Sequence, residues 1–124
     1  MKKILIVDDE PRVRELLTIT LNGIADFELC EAHDGEQAVK ISCEMIPDLI
    51  LMDVKMPGSI DGLAATKIIK NNPKTQHCCI ILLTAYGQEA DKEKGFEAGA
   101  DDYIVKPFSP VSLIERIEKE FKIG

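Results

Sequence analysis

Short apolar runs alternate with amphipathic stretches five times along the chain. Residues 3–7, Lys-Ile-Leu-Ile-Val, have the length and character of a strand. Asp8-Asp9-Glu10 ends it, and Pro11 suits the first turn of a helix, where its missing N–H costs nothing. Val13, Leu16, Leu17, Thr20 and Leu21 then recur at helical spacing up to a stop at Asn22-Gly23. Residues 27–32 predict a second strand, and Asp34-Gly35 turns into a helix over about residues 36–45 carried by Ala38, Val39 and Ile41. Leu49 to Met52 is unbroken apolar sequence, as expected of a central parallel strand covered on both faces. Asp53 stops that run, and Pro57-Gly58 forces a turn.

Asp61-Gly62 starts a third helix with Leu63, Ile68 and Ile69 facing inward, and Asn71-Asn72-Pro73 ends it. Residues 78–83 form another apolar strand ending at Thr84. A fourth helix over 88–98 is weakly specified, because Gly95 lies inside it and Phe96 is its only large apolar residue. Tyr103-Ile104-Val105 predicts a fifth strand ending at Lys106-Pro107. Ser109 caps a last helix with Pro110 in its first turn and Leu113, Ile114, Ile117 and Phe121 on its apolar face. Strict alternation of this kind predicts an α/β fold, a doubly wound parallel sheet with helices on both faces. Right-handed crossovers leave few topologies, and the common ones place ligands at the carboxyl ends of the strands.

Composition narrows the functions available. A length of 124 residues fits one domain. The net charge of -7, from 15 basic and 22 acidic residues, argues against nucleic-acid binding and suits a cation. No apolar run reaches the roughly 18 residues of a membrane span. The apolar run after Met1-Lys2-Lys3 is too short for a signal peptide, so the expected location is cytoplasmic. Cys30, Cys43, Cys78 and Cys79 lack zinc-site spacing and read as reduced thiols. His33 and His77 read as solvated groups.

The strand ends carry Asp8-Asp9, Asp53, Thr84 and Lys106 along what a parallel sheet makes one edge. Carboxylates gathered there repel one another, and a hard divalent cation such as Mg²⁺ removes the conflict. Such a site suits a phosphoryl group on Asp53: the carboxylate attacks phosphorus, the cation and Lys106 offset charge on the oxygens, and Thr84 donates to one of them.

These residues lie in four motifs: Ile-Leu-Ile-Val-Asp-Asp-Glu at 4–10, Leu-Met-Asp-Val-Lys-Met-Pro-Gly at 51–58, Leu-Thr-Ala-Tyr-Gly at 83–87 and Gly-Ala-Asp-Asp-Tyr-Ile-Val-Lys-Pro-Phe at 99–108. Together they resemble the receiver domain of two-component response regulators over essentially the whole chain, residues 1–124. The resemblance implies a flavodoxin-like (βα)5 fold with strand order 2-1-3-4-5. It implies a phosphoacceptor at Asp53, and Mg²⁺ held by Asp9, Asp53 and the backbone carbonyl of Lys55, with Asp8 acting through water. It also implies a switch pair of Thr84 and Tyr103 and a phosphate-binding Lys106. The implied phosphoryl donor is a phosphohistidine on a sensor histidine kinase or histidine phosphotransfer protein. In the family's geometry, Lys55 and Tyr86 flank the path of a hydrolytic water, so slow autodephosphorylation is expected. The output surface is expected on the fourth helix, fifth strand and fifth helix, with a monomer or a phosphorylation-dependent dimer. The chain departs from the family pattern in one place: Pro57-Gly58-Ser59-Ile60-Asp61-Gly62 is one residue longer than usual.

Other functions fit less well. A phosphatase of the haloacid-dehalogenase type wants a second Asp two residues after the nucleophile, where this chain has Lys55. Dinucleotide binding needs a Gly-rich turn after the first strand, and Asp8-Asp9-Glu10-Pro11 would repel a pyrophosphate. A pseudo-receiver that only binds partners has no need of the full set of Asp8, Asp9, Asp53, Thr84 and Lys106. A stand-alone receiver that signals by docking is the expectation, with a fragment of a longer regulator as the alternative.

Overall fold

The computed structural model describes residues 1–85 and 88–121. Tyr86, one of the two residues expected to gate hydrolysis, lies outside them. The strands are β1 (Lys2–Val7), β2 (Phe27–Ala32), β3 (Leu49–Asp53), β4 (Cys79–Ala85) and β5 (Asp102–Lys106). The helices are α1 (Pro11–Asn22), α2 (Gly35–Met45), α3 (Gly62–Lys70), α4 (Glu89–Ala98) and α5 (Pro110–Phe121). All strand pairs are parallel, in the order β2-β1-β3-β4-β5.

Every side chain of β3 is buried, which explains why Leu49 to Met52 shows no polar alternation. Successive residues point to opposite faces and feed two cores. Leu5, Ile50, Met52, Ile80 and Leu82 pack with α2 and α3. Ile4, Ile6, Leu49, Leu51, Ile81 and Leu83 pack with Leu17 and Leu21 of α1 and Leu113 and Ile117 of α5. Caps fall where the sequence puts short polar residues: Asp34 accepts from Gln37 N, Asp61 from Ala64 N and Ser109 from Ser112 N.

Helical periodicity overreaches at two positions. Ile68, expected to face inward, is 42% exposed, and α3 turns Ala65, Thr66 and Ile69 to the core in its place. Leu16 is likewise 41% exposed beside the buried Leu17. Helix α4 is better anchored than its composition suggests. A Cβ on Gly95 would crowd Leu82 Cδ1, so α4 packs closely on β4 at this glycine. Phe96 is outside this contact and half exposed. In the lengthened loop Gly58 takes φ +98°, a conformation that favours glycine. Ser59 Oγ then donates to Glu36 Oε1 at 2.8 Å, and Ile60 lies so close over Gly35 that a Cβ there would meet its carbonyl oxygen at 2.2 Å. The lengthened loop is thus seated on the start of α2. Among the described residues, no helix is long and apolar enough to cross a membrane.

Candidate functional site

Asp53 is the last residue of β3 and Lys106 the last of β5, while Thr84 is the penultimate residue of β4. Asp8 and Asp9 follow β1 directly. Parallel register carries all of them to one edge, where a cleft of about 260 Å³ is lined by Asp9, Glu10, Asp53, Val54, Lys55, Leu83, Ala85 and Lys106. Carboxylate oxygens of Asp8, Asp9 and Asp53 lie within 4.8 Å of one another.

Their environments differ. Asp8 is fully buried, and both of its oxygens are engaged: Oδ1 accepts from Glu10 N at 2.9 Å and Oδ2 from Lys106 Nζ at 2.8 Å. Asp9 is exposed. Asp53 is nearly buried, and its Oδ1 accepts from Lys106 Nζ at 3.1 Å. Burial first, and then the charge of Asp8, push the Asp53 carboxyl from 3.8 up to about 7, although Lys106 opposes the shift. Burial draws the Lys106 ammonium toward neutrality, but its bonds and charge attraction to Asp8 and Asp53 outweigh that and hold its pKa above the ordinary value. One ammonium therefore bridges two carboxylates that would otherwise repel one another.

A hard divalent cation fits this donor set. Asp9 and Asp53 retain free carboxylate oxygens, all the acids carry oxygen donors, and the cleft admits water. The saturated Asp8 suits an indirect contact through water. Thr84 is buried with Oγ1 lacking a partner among the described residues, as a hydroxyl waiting for an acceptor would be. Lys55 is exposed on the cleft wall.

Tyr103 is not part of this cluster. It is half-buried on the α4 side, edge-on to Phe96 at 5.7 Å between ring centroids, with Lys92 Nζ 4.6 Å above its ring. Sequence reasoning gave two residues no part in the site. Gly62 sits where a Cβ would meet the Asp53 carbonyl oxygen at 2.0 Å, so only glycine lets α3 begin against the acceptor strand. Arg14 donates from Nη1 to the Asp8 carbonyl oxygen at 2.7 Å. The first carried a signal, a Gly directly after a capping Asp, but the second carried none.

The match to the response regulator receiver domain model extends over residues 4–118. The transcriptional regulatory protein ResD of Bacillus subtilis is 46% identical over 116 residues, which are 94% of this chain and 46% of ResD. The phosphate regulon transcriptional regulatory protein PhoB of Pseudomonas aeruginosa is 44% identical over 117 residues, covering 94% of this chain and 50% of PhoB. The chain therefore spans about half the length of the curated relatives it matches. Among solved structures, a putative response regulator from Chloroflexus aurantiacus superposes with a TM-score of 0.90 at 40% identity, over 98% of each chain. The receiver domain of the sensor histidine kinase PA1611 of Pseudomonas aeruginosa, which holds a magnesium ion in its active-site cleft, gives 0.87 at 30% identity over 98% of each chain.

Proposed function

The chain belongs to the response regulator receiver family of two-component signalling, and from that premise we propose that it takes a phosphoryl group from a phosphohistidine onto Asp53 with the help of Mg²⁺. The observation that carries the reading is the cleft in which Asp9 and Asp53 offer carboxylate oxygens, Lys106 rests on Asp53, and the buried Thr84 hydroxyl lacks a partner among the described residues. A carboxylate oxygen of Asp53 attacks phosphorus, the P–N bond breaks, and the imidazole of the donor leaves. Bound Mg²⁺, held by Asp9, Asp53 and the Lys55 carbonyl with Asp8 through water, supplies charge neutralisation for the phosphoryl oxygens. Lys106 is already 3.1 Å from Asp53 Oδ1 and turns from the carboxylate to a phosphoryl oxygen. Thr84 Oγ1 donates to another.

The donor is a sensor histidine kinase or a histidine phosphotransfer protein. Titrating MgCl2 into the protein in a calorimeter separates this reading from a partner-binding pseudo-receiver. A single site lost in Asp9→Asn is expected, and absence of binding to the wild-type chain would remove the basis for Mg²⁺-dependent transfer.

Drawing Thr84 toward a phosphoryl group frees space for Tyr103 to turn inward, away from Lys92 and Phe96. That repacks α4, β5 and α5, the surface proposed to dock a downstream protein or a second phosphorylated copy. Adding beryllium fluoride with Mg²⁺ is expected to change hydrogen exchange in residues 88–106. Changes confined to α1 and α2 would place the output elsewhere.

Lys55 is proposed to slow hydrolysis by laying its stem over the phosphoryl group and keeping water from the line of attack, with Tyr86 beside it. The phosphorylated Lys55→Asn variant should decay several-fold faster than wild type after donor removal. An unchanged or slower decay would show that Lys55 does not gate the water.

A further inference from the structure

Helix α1 starts at Pro11, directly after the turn that carries Asp8 and Asp9. Helical side chains lean toward the N-terminus, so a long side chain one turn in reaches back over that turn. Arg14 does so. Its Nη1 donates to the Asp8 carbonyl oxygen at 2.7 Å, and its Nε donates to Glu31 Oε1 on β2 at 3.0 Å. The side chain is 18% exposed. The remaining polar atoms of Asp8 are also engaged, with N donating to the Ala32 carbonyl at 3.2 Å, Oδ1 accepting from Glu10 N and Oδ2 from Lys106. Arg14 thus closes the last open position on Asp8 and ties the turn to α1 and β2 together. Asp9, the next residue in the same turn, is exposed.

We infer that Arg14 is a positioning residue for the divalent cation, acting through the Asp8–Asp9 turn; this rests on the proposed Mg²⁺ site. Two effects of the guanidinium oppose each other. Its positive charge near the cluster disfavours a dication, whereas its hold on the turn pre-orients Asp9. The contacts decide which effect wins. The fork is spent on a backbone carbonyl and on Glu31, whose opposite charge offsets much of its field, and it makes no bond to a site carboxylate. Groups that orient metal ligands from behind typically change affinity about 10–100-fold when lost.

The test is the Mg²⁺ dissociation constant by calorimetry for wild type, Arg14→Ala, Arg14→Gln and Arg14→Lys. Each is measured at a temperature where circular dichroism shows it folded without metal. Arg14→Ala is expected to bind about tenfold or more weakly. Arg14→Gln should also be weaker, despite losing a positive charge, and Arg14→Lys, which keeps one donor, should fall between Ala and wild type. Affinity equal to or tighter than wild type in folded Arg14→Ala and Arg14→Gln would overturn the inference, because charge would then outweigh position. A merely structural role would lower the unfolding temperature in chelator and leave the dissociation constant of the folded protein unchanged. Asp9→Asn serves as the control. If it binds Mg²⁺ like wild type, the metal site itself is misassigned; if it weakens binding and the Arg14 variants do not, only the positioning role fails.

Discussion

With divalent cations chelated, Asp53→Asn is expected to unfold at a higher temperature than the wild-type chain, by a margin that widens as pH rises from about 4 to 7. The wild-type Asp53 carboxyl is pushed from 3.8 up to about 7, first by burial and then by the charge of Asp8. A folded-state value above the unfolded one means that the folded chain keeps a proton which the unfolded chain has released. The stability this group contributes is therefore complete below the unfolded value and is lost as pH rises through the folded value. At 1.36 kcal/mol per unit, the loss amounts to about 4 kcal/mol by pH 8. Asparagine has no proton to release, and Lys106 keeps its bond to Asp8 at 2.8 Å in the variant. Other titrating groups are common to both proteins, so the difference between their stability–pH curves isolates Asp53. Chemical denaturation at pH 5 and pH 8 in chelator provides the check, and parallel curves would show that Asp53 is not held in a buried, charge-crowded position. Saturating Mg²⁺ should restore the wild-type chain at pH 8 and do little for the variant.

Lys106→Met is expected to move metal affinity and phosphoryl uptake in opposite directions. One ammonium serves both Asp8, which is fully buried, and Asp53. Removing one partner of such a pair strands a buried charge, and because the Lys106 side chain is 24% exposed the cost falls at the low end of the usual range, about 3 kcal/mol in chelator. The double variant Asp53→Asn with Lys106→Met should recover part of that loss, since the stranded carboxylates are then fewer. Mg²⁺ meets no competing ammonium in Lys106→Met, so its affinity rises. Phosphoryl uptake nevertheless slows by about a hundredfold, because a preorganised donor to the transferred group is gone. Weaker Mg²⁺ binding in Lys106→Met would contradict the picture of lysine and metal as rivals for the same oxygens.

Much of this is legible in the chain before any coordinates. Parallel strands covered on both faces leave unbroken apolar runs, and Leu49 to Met52 and Ile80 to Leu83 are such runs. The first polar residue after each run falls at the sheet edge, so Asp8, Asp53, Thr84 and Lys106 could be gathered by counting alone. Capping residues marked the helix starts at Asp34, Asp61 and Ser109. What escaped depends on approach distance and on contacts remote in sequence. Periodicity defines a stripe but not how much of it a neighbour covers, so Ile68 and Leu16 read as core and are half exposed. Gly95 reads as a weak point of α4, yet it is the close contact with Leu82. Arg14, on α1, bonds a backbone carbonyl and a residue of β2, and neither leaves a pattern in side-chain type.

Asp53 is proposed to accept the phosphoryl group and to need Mg²⁺ to do so. Intact-mass spectrometry after incubation with acetyl phosphate decides both points, comparing wild type with Mg²⁺, wild type with chelator, and Asp53→Asn with Mg²⁺. One added phosphoryl group is expected in the first sample and none in the other two. Equal labelling of Asp53→Asn would show that another residue is the acceptor, and labelling undiminished by chelator would show that the transfer does not need the metal.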